Sequence, residues 1–372
     1  MASSPATASR SDLAKTASRY RTFAAILSWL DRYLSWPLPP QPLFELFIPS
    51  TVSRIPGSIP LYFFTASNRP LYRVDEEQPE PLRPVLINFH GGGFSIGHAL
   101  DDARWIGAVL KAHPDAVVIS VDYRLAPEHP FPVPIEDGVD AVMWLWEHAA
   151  QYSLDRARFA LSGASAGGNL AFTVPLRLHE ELTNRAQRQG KAVAIGLAGI
   201  VAFYPSTDWS RTRSERDATN PIAPQKSMIS PSLYAFFDES YLLPKALPKK
   251  PGSEEIDMAH PYLSPGLATA CLLEASCPAN VAIYTCGWDQ LLAEGNAFRE
   301  RLRQLRGGED EEGGGHVGGM TMEGTIHGFD KKPSFCLGNR KRDQMYGDAV
   351  AQLDIMWREG ALLSSHSSSR SE

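Results

Sequence analysis

The sequence predicts an α/β fold, with a mostly parallel central sheet wrapped by helices, on three observations. Compact apolar runs at 84–89, 116–121, 199–204 and 281–285 are rich in Val, Ile, Leu and Phe, stretches of helical patterning separate them, and two of them, 84–89 and 281–285, end in glycine-bearing turns. Strands buried on both faces read as such runs, and alternation with helices favours parallel pairing. A chain of 372 residues, 43% of them apolar, has room for one large α/β unit and a smaller covering element.

In chain order, Leu13, Ala17, Tyr20, Ala24, Leu27 and Leu34 recur at helical spacing, which predicts an N-terminal helix with one apolar face. The segment is also Ser- and Arg-bearing and poor in acids, the composition of a mitochondrial transit peptide; a covering helix is the preferred reading. Its apolar run at 23–30 starts too late for a secretory signal and is too short to span a membrane. The strand at 84–89 runs into His90-Gly91-Gly92-Gly93-Phe94, and 116–121 is a second buried strand. Residues 138–146 look helical, with Trp144 and Trp146 as packing aromatics. A strand at 158–162 leads into Gly163-Ala164-Ser165-Ala166-Gly167-Gly168, with a helix from Asn169 onward. The strand at 199–204 reaches Pro205, after which the pattern breaks into polar, proline-rich and aromatic sequence containing Trp209, Phe236 and Phe237. A strand at 281–285 leaves through Cys286-Gly287-Trp288-Asp289, and another at 320–323 precedes Gly324-Thr325-Ile326-His327-Gly328-Phe329. Acid and glycine content at 307–319 predicts a mobile, solvated insert, and the Ser-rich end predicts disorder. The expected organisation is a cap-helix region at 1–50, core at 51–205, a helical cap insert at 206–261, core again at 262–360, and a disordered tail at 361–372.

Two strings carry chemistry. Gly163–Gly167 fits G-x-S-x-G, a turn that thrusts a serine hydroxyl out of a strand-to-helix junction and needs small neighbours. Alone it is a weak signal. Three consecutive glycines after an apolar strand strengthen it, because glycine lets backbone amides face the oxygen on which charge develops. Gly91 and Gly92, with the amide of Ala166, are the expected oxyanion donors and Ser165 the nucleophile. An acid and then a histidine are expected downstream at strand ends. Asp289 fits the orienting acid better than Glu294, which sits on the following helix as an anchor. His327 fits the base better than His316, which lies in the glycine and acid stretch.

These residues resemble the hormone-sensitive-lipase-like branch of the α/β-hydrolases over roughly 80–335. Residues 121–132, VDYRLAPEHPFP, look like that branch's hallmark segment, with Asp137 at the expected distance; YPSTD at 204–208, DQLLAEG at 289–295 and His327-Gly328-Phe329 are similar as well. The resemblance implies a serine carboxylester hydrolase with the roles just given, and includes short-chain esterases, aryl-acetamide deacetylases and fungal esterases that deacetylate pathway metabolites. It also includes ligand-binding receptors that have lost the catalytic histidine, and the same triad serves transacylation or lactone formation. Ala164 stands where Asp or Thr is usual, which removes one side-chain hydrogen bond and no catalytic atom.

No phosphate loop, dinucleotide fingerprint or metal-ligand spacing is present, so no cofactor and no metal are expected. A net charge of −6 argues against nucleic acid, with Lys249-Lys250 and Lys331-Lys332 read as solvated pairs. The expected partner is a small hydrophobic ester, without stable membrane insertion. Four irregularly spaced cysteines and the absence of a signal predict a reducing, cytoplasmic location. Oligomeric state is left open.

Overall fold

The computed structural model describes residues 9–34, 37–66, 71, 81–190, 193–243, 256–307, 315–331 and 339–368. Its strands are β1 (Phe44–Pro49), β2 (Ser58–Thr65), β3 (Arg83–Phe89), β4 (Val117–Val121), β5 (Leu154–Ala164), β6 (Gly199–Phe203), β7 (Val281–Trp288), β8 (Val317–Gly318) and β9 (Thr321–Ile326). Their spatial order is β1-β2-β4-β3-β5-β6-β7-β8, with β9 also paired to β7. From β4 to the β9 edge the pairing is parallel, whereas β1, β2 and β4 join antiparallel. Strands β3, β4 and β6 are buried at every position, as expected where helices cover both faces of a sheet.

The helices are α1 (Arg10–Leu34), α2 (Ala103–Ala112), α3 (Val133–Glu147), α4 (Ala166–Gln189), α5 (Arg213–Thr219), α6 (Ala223–Lys226), α7 (Pro231–Tyr241), α8 (Ala270–Ser276), α9 (Leu292–Leu305) and α10 (Arg340–Ser368). One core layer joins the sheet to α3, α4, α8 and α9 through residues such as Val139, Phe172, Leu273 and Phe298. The opposite layer lies under α2 and α10, through Trp105, Ile106, Met345 and Met356. Leu13 and Ala17 of α1 form a third, separate cluster with Phe236, Phe237 and Leu243.

Several elements depart from the sequence expectations. Strand β5 begins at Leu154, and α4 begins at Ala166 directly after the serine. Helix α3 starts at Val133, because Pro134 suits a first helical turn. Leu34 and Leu27 are exposed, so the inward face of α1 ends sooner than its apolar spacing implies. The insert at 307–319 contains β8, whose Val317 and Gly318 pair with Val281 and Ala282; residues 308–314 lie outside those described. The stretch expected to be disordered continues α10 as far as Ser368, since no Pro or Gly follows Gly360 to stop the helix; 369–372 are outside the described residues. Lys331 is not a solvated residue, as described below, and Lys249, Lys250 and Lys332 lie outside the described residues.

Candidate active site

Strand β5 delivers Ser165 to the end of the sheet, and the chain must reverse there into α4. Ser165 adopts φ 56° and ψ −114°, a conformation that costs a non-glycine residue on the order of 1–3 kcal/mol. Its surroundings impose it. The Ser165 amide donates to Phe203 O at 2.9 Å and its carbonyl accepts from Asn169 N at 3.0 Å. A Cβ on Gly163 would lie 2.2 Å from Gly167 O, and one on Gly167 would lie 1.9 Å from Phe89 O. Both glycines are therefore required by close backbone approach between β3, β5 and α4.

His327 follows β9 and Asp289 follows β7. His327 Nε2 lies 2.8 Å from Ser165 Oγ, and its Nδ1 lies 2.6 Å from Asp289 Oδ2. In the neutral tautomer this contact implies, Nδ1–H donates to the carboxylate and the serine hydroxyl donates to Nε2. Asp289 Oδ1 also accepts from the Leu291 amide at 3.1 Å, and the Asp289 side chain is almost fully buried. Asn220, a buried side chain that sequence reasoning missed, clamps this loop by donating to the carbonyls of Gly287 and Asp289, each at 3.0 Å.

Gly91 sits against the elbow, its position for a Cβ being 3.0 Å from Ala164 O and 3.6 Å from Ser165 Cβ. Gly92 has φ +114°, and a Cβ there would strike Ile96 O at 2.2 Å. Ala166 opens α4, and the N–H groups of a first helical turn have no partner within the helix. The structure thus brings Ser165, His327, Asp289, Gly91, Gly92 and Ala166 to one place. His316 instead flanks β8, where its carbonyl accepts from Val281 N. Glu294 is buried on α9, accepting from the amides of Thr207 and Asp208 and pairing with Arg216 at 2.8 Å. His90 is fully buried and stacked on Tyr123.

A pocket of about 310 Å³ opens onto Ser165 and His327, with Leu27, Ile96, Leu233 and Phe237 among its walls. A larger cavity of about 760 Å³ is also bordered by α1, but none of Ser165, His327 and Asp289 lines it.

A buried polar network, also not foreseen, joins the elements that carry these residues. Tyr204, whose ring meets that of His327 edge-on at 4.8 Å, donates its hydroxyl to Asp330 Oδ1, and Tyr346 donates to Asp330 Oδ2. Lys331 Nζ lies 3.1 Å from Asp330 Oδ2 and 2.7 Å from Asp102 Oδ1. Asp102 in turn accepts from Asn88 of β3, which accepts from Ser162 of β5. Burial would push the Asp330 carboxyl up, but the Lys331 ammonium and the two tyrosine hydroxyls hold it below the usual carboxylate range.

A family profile described as alpha/beta hydrolase fold matches residues 86–331. Esterase LipI of Mycobacterium tuberculosis is 34% identical over 221 residues, 59% of this chain and 59% of that protein. Arylacetamide deacetylase-like 2 of Homo sapiens is 28% identical over 364 residues, covering 87% of this chain and 84% of its own. Among solved structures, the ester-hydrolase EH1AB1 from the metagenome of Lake Arreo, complexed with a derivative of bipyridine phosphonate, superposes with a TM-score of 0.64. It is 27% identical, and the match covers 94% of this chain and 91% of that one.

Proposed function

The chain belongs to the α/β-hydrolase fold family, in its hormone-sensitive-lipase-like branch, and from that premise we propose that it is a serine carboxylester hydrolase acting on small to medium hydrophobic esters. The observation that carries this reading is the unbroken contact chain from Ser165 through His327 to Asp289 at the base of an apolar pocket.

In this mechanism the Ser165 oxygen attacks the ester carbonyl while His327 Nε2 takes its proton. The tetrahedral oxyanion is held by the amides of Gly91, Gly92 and Ala166, each such donor being worth about 2.7–4 kcal/mol of barrier. Asp289 fixes the tautomer and stabilises the imidazolium without taking the proton. The carbonyl–alkoxy bond then breaks, the alcohol leaves with the proton from His327, and water releases the acid from the acyl-enzyme by the same steps. The complete triad weighs against a silent ligand-binding role, which needs no aligned base.

The pocket is at the small end of the range for ligand sites, which favours acetyl and butyryl esters over long chains. Helix α1 and the segment at 206–261 act as the cap over the two core parts, 51–205 and 262–360, because Leu27, Leu233 and Phe237 close the pocket from that side. The free cysteines Cys271, Cys277 and Cys286 favour a reducing compartment, and the cytoplasm is the location we propose.

The test is turnover of p-nitrophenyl acetate and butyrate by wild type and Ser165→Ala, with an organophosphonate label mapped by mass spectrometry. Activity should fall by about 10⁴–10⁶-fold in the variant, with the label on Ser165 in wild type. A folded wild type that neither turns over nor takes the label would overturn the reading.

A further inference from the structure

Helix α1 has a second face that the pocket does not use. Its inner side is spent on the protein: Leu13 and Ala17 pack on α7, Arg21 bonds Glu128 and the Ala126 carbonyl, Ser28 donates to Asp101, and Asp31 pairs with Arg104. On the opposite side, at 100° per residue, Phe23, Ile26, Trp29 and Tyr33 share one stripe with Lys15 and Arg19, Trp29 and Tyr33 at its edge also bordering the larger cavity. Phe23 is 62% exposed and Trp29 56%. Among the described residues fourteen large apolar side chains are exposed, and seven of them fall between Phe23 and Leu38. Apolar residues scattered singly need no explanation, whereas half of the total in one short stretch does.

We propose that this face adsorbs to an anionic lipid surface, with α1 lying in the interfacial plane. Three features on the helix select that partner. Trp and Tyr are the side chains that settle at a membrane–water boundary, and here they alternate with aliphatic and phenyl groups on one stripe. The charge is complementary: Arg10–Leu34 carries five basic residues against Asp12 and Asp31, a surplus of three positive charges (5 − 2), in a chain whose net charge is −6. A second copy is disfavoured by the same count, since a two-fold contact through this face would set each cationic helix against its own likeness. Among the described residues no helix is long and apolar enough to cross a membrane, so the contact is adsorption and not insertion.

The consequence concerns supply. Ala24 and Leu27 of the same helix border the pocket that holds Ser165, so a hydrophobic ester dissolved in lipid would reach the pocket rim without crossing bulk water. This supply role rests on the proposed esterase reading; the adsorption itself does not.

Flotation of the full chain with vesicles tests the adsorption. Wild type and Ser165→Ala should both float with vesicles of 30% phosphatidylglycerol in phosphatidylcholine, and much less with phosphatidylcholine alone. Each basic residue at such a surface contributes about 1 kcal/mol, about fivefold, so Lys15→Glu with Arg19→Glu should lower binding more than tenfold at low salt. Phe23→Ser with Ile26→Ser, at positions that do not line the pocket, should lower it at all salt concentrations while leaving p-nitrophenyl acetate turnover unchanged. Equal flotation of wild type and the Phe23/Ile26 double variant, or no flotation with anionic vesicles, overturns the proposal. So does a concentration-dependent dimer, seen by light scattering, that the Phe23/Ile26 double variant abolishes. A wild type that floats yet neither turns over ester nor takes the phosphonate label refutes the esterase reading alone.

Discussion

Ser165 is held in a backbone conformation that its side chain disfavours, and the contacts that hold it come from three directions: Phe203 of β6, Asn169 of α4 and the glycine approach to Phe89 of β3. Strain of this kind persists only where the surroundings over-determine it, so the hydroxyl is aimed before substrate arrives. The proposed orienting role of Asp289 can be tested apart from this geometry. Asp289→Asn keeps the volume and the contact with the Leu291 amide but presents Nδ1 of His327 with a group that can donate, favouring the wrong tautomer. A drop of about 10⁴-fold in kcat, with the fold and the phosphonate-accessible Ser165 position retained, is expected from steady-state kinetics. Gly92→Ala works through the backbone instead. The residue has φ +114° and a new methyl would meet Ile96 O at 2.2 Å, so the loop must shift and its amide lose aim. Its kcat should fall by about 10²–10³-fold with a smaller change in KM. These positions were legible in the sequence because each sits at a strand end beside glycine. Asn220 was not, since a single Asn in a polar insert gives no sign of which carbonyls it will find.

At the scale of elements, the Lys331 ion pair joins the loop after β9 to the sheet through Asp102, Asn88 and Ser162. Removing the ammonium leaves Asp330 and Asp102 buried without their cation, and breaking a buried pair from one side costs about 3–5 kcal/mol. Lys331→Met is expected to lose that much stability in urea at neutral pH. The pH dependence follows from Asp330, whose carboxyl is held below its ordinary value in the fold. A depressed carboxyl contributes stability above its unfolded pKa, about 3.9, and loses it as pH falls through the folded value. Much of that depression comes from Lys331, so the gap in urea midpoint between wild type and Lys331→Met should narrow as pH falls through about 4; a constant gap would show that the pair is electrostatically idle. Lys331-Lys332 was read as a solvated pair because two adjacent lysines usually are, and the buried Asp102 that Lys331 meets lies too far away in sequence to be associated with it. The central strands were readable for the opposite reason: burial on both faces writes a continuous apolar run. The β1–β2 hairpin was missed because its outer strand is short, alternates exposed residues with half-buried ones and the single buried Ile48, and ends in Pro49, and α10 because Met345, Tyr346, Ala349, Leu353 and Met356 are spread through a largely polar 29-residue helix.

Across the whole molecule the sheet and helix α1 are held by different forces. The core is two apolar layers on either side of β3 to β7, whereas α1 is attached to the core by polar contacts such as Arg21–Glu128 and Asp31–Arg104, and its apolar contact is with α7. Arg21–Glu128 is partly exposed, and such a pair contributes about 0–1 kcal/mol, while the mostly buried Asp31–Arg104 pair lies near the far end of the helix, so the first turns of α1 are held chiefly by the small cluster of Leu13 and Ala17 with Phe236, Phe237 and Leu243. On the proposed cap reading, the start of α1 is expected to open while the sheet stays folded. Ala17 is fully buried in that cluster, and Ala17→Asp would place an unpaired carboxylate there at a cost well above that of any single tie to the core. The variant should therefore release α1 selectively. Trypsin should cut at Arg19 and Arg21 at least tenfold faster than in wild type, while the main thermal transition, which reports the sheet, moves by less than about 2 °C, since 1 kcal/mol shifts a chain of this size by about 1.3 °C. With the pocket wall at Ala24 and Leu27 displaced, KM for p-nitrophenyl butyrate should rise and kcat change little, because Ser165, His327 and Asp289 are all placed by the sheet. If the main transition instead collapsed together with activity, α1 would be part of the folding unit and not a cover attached to it.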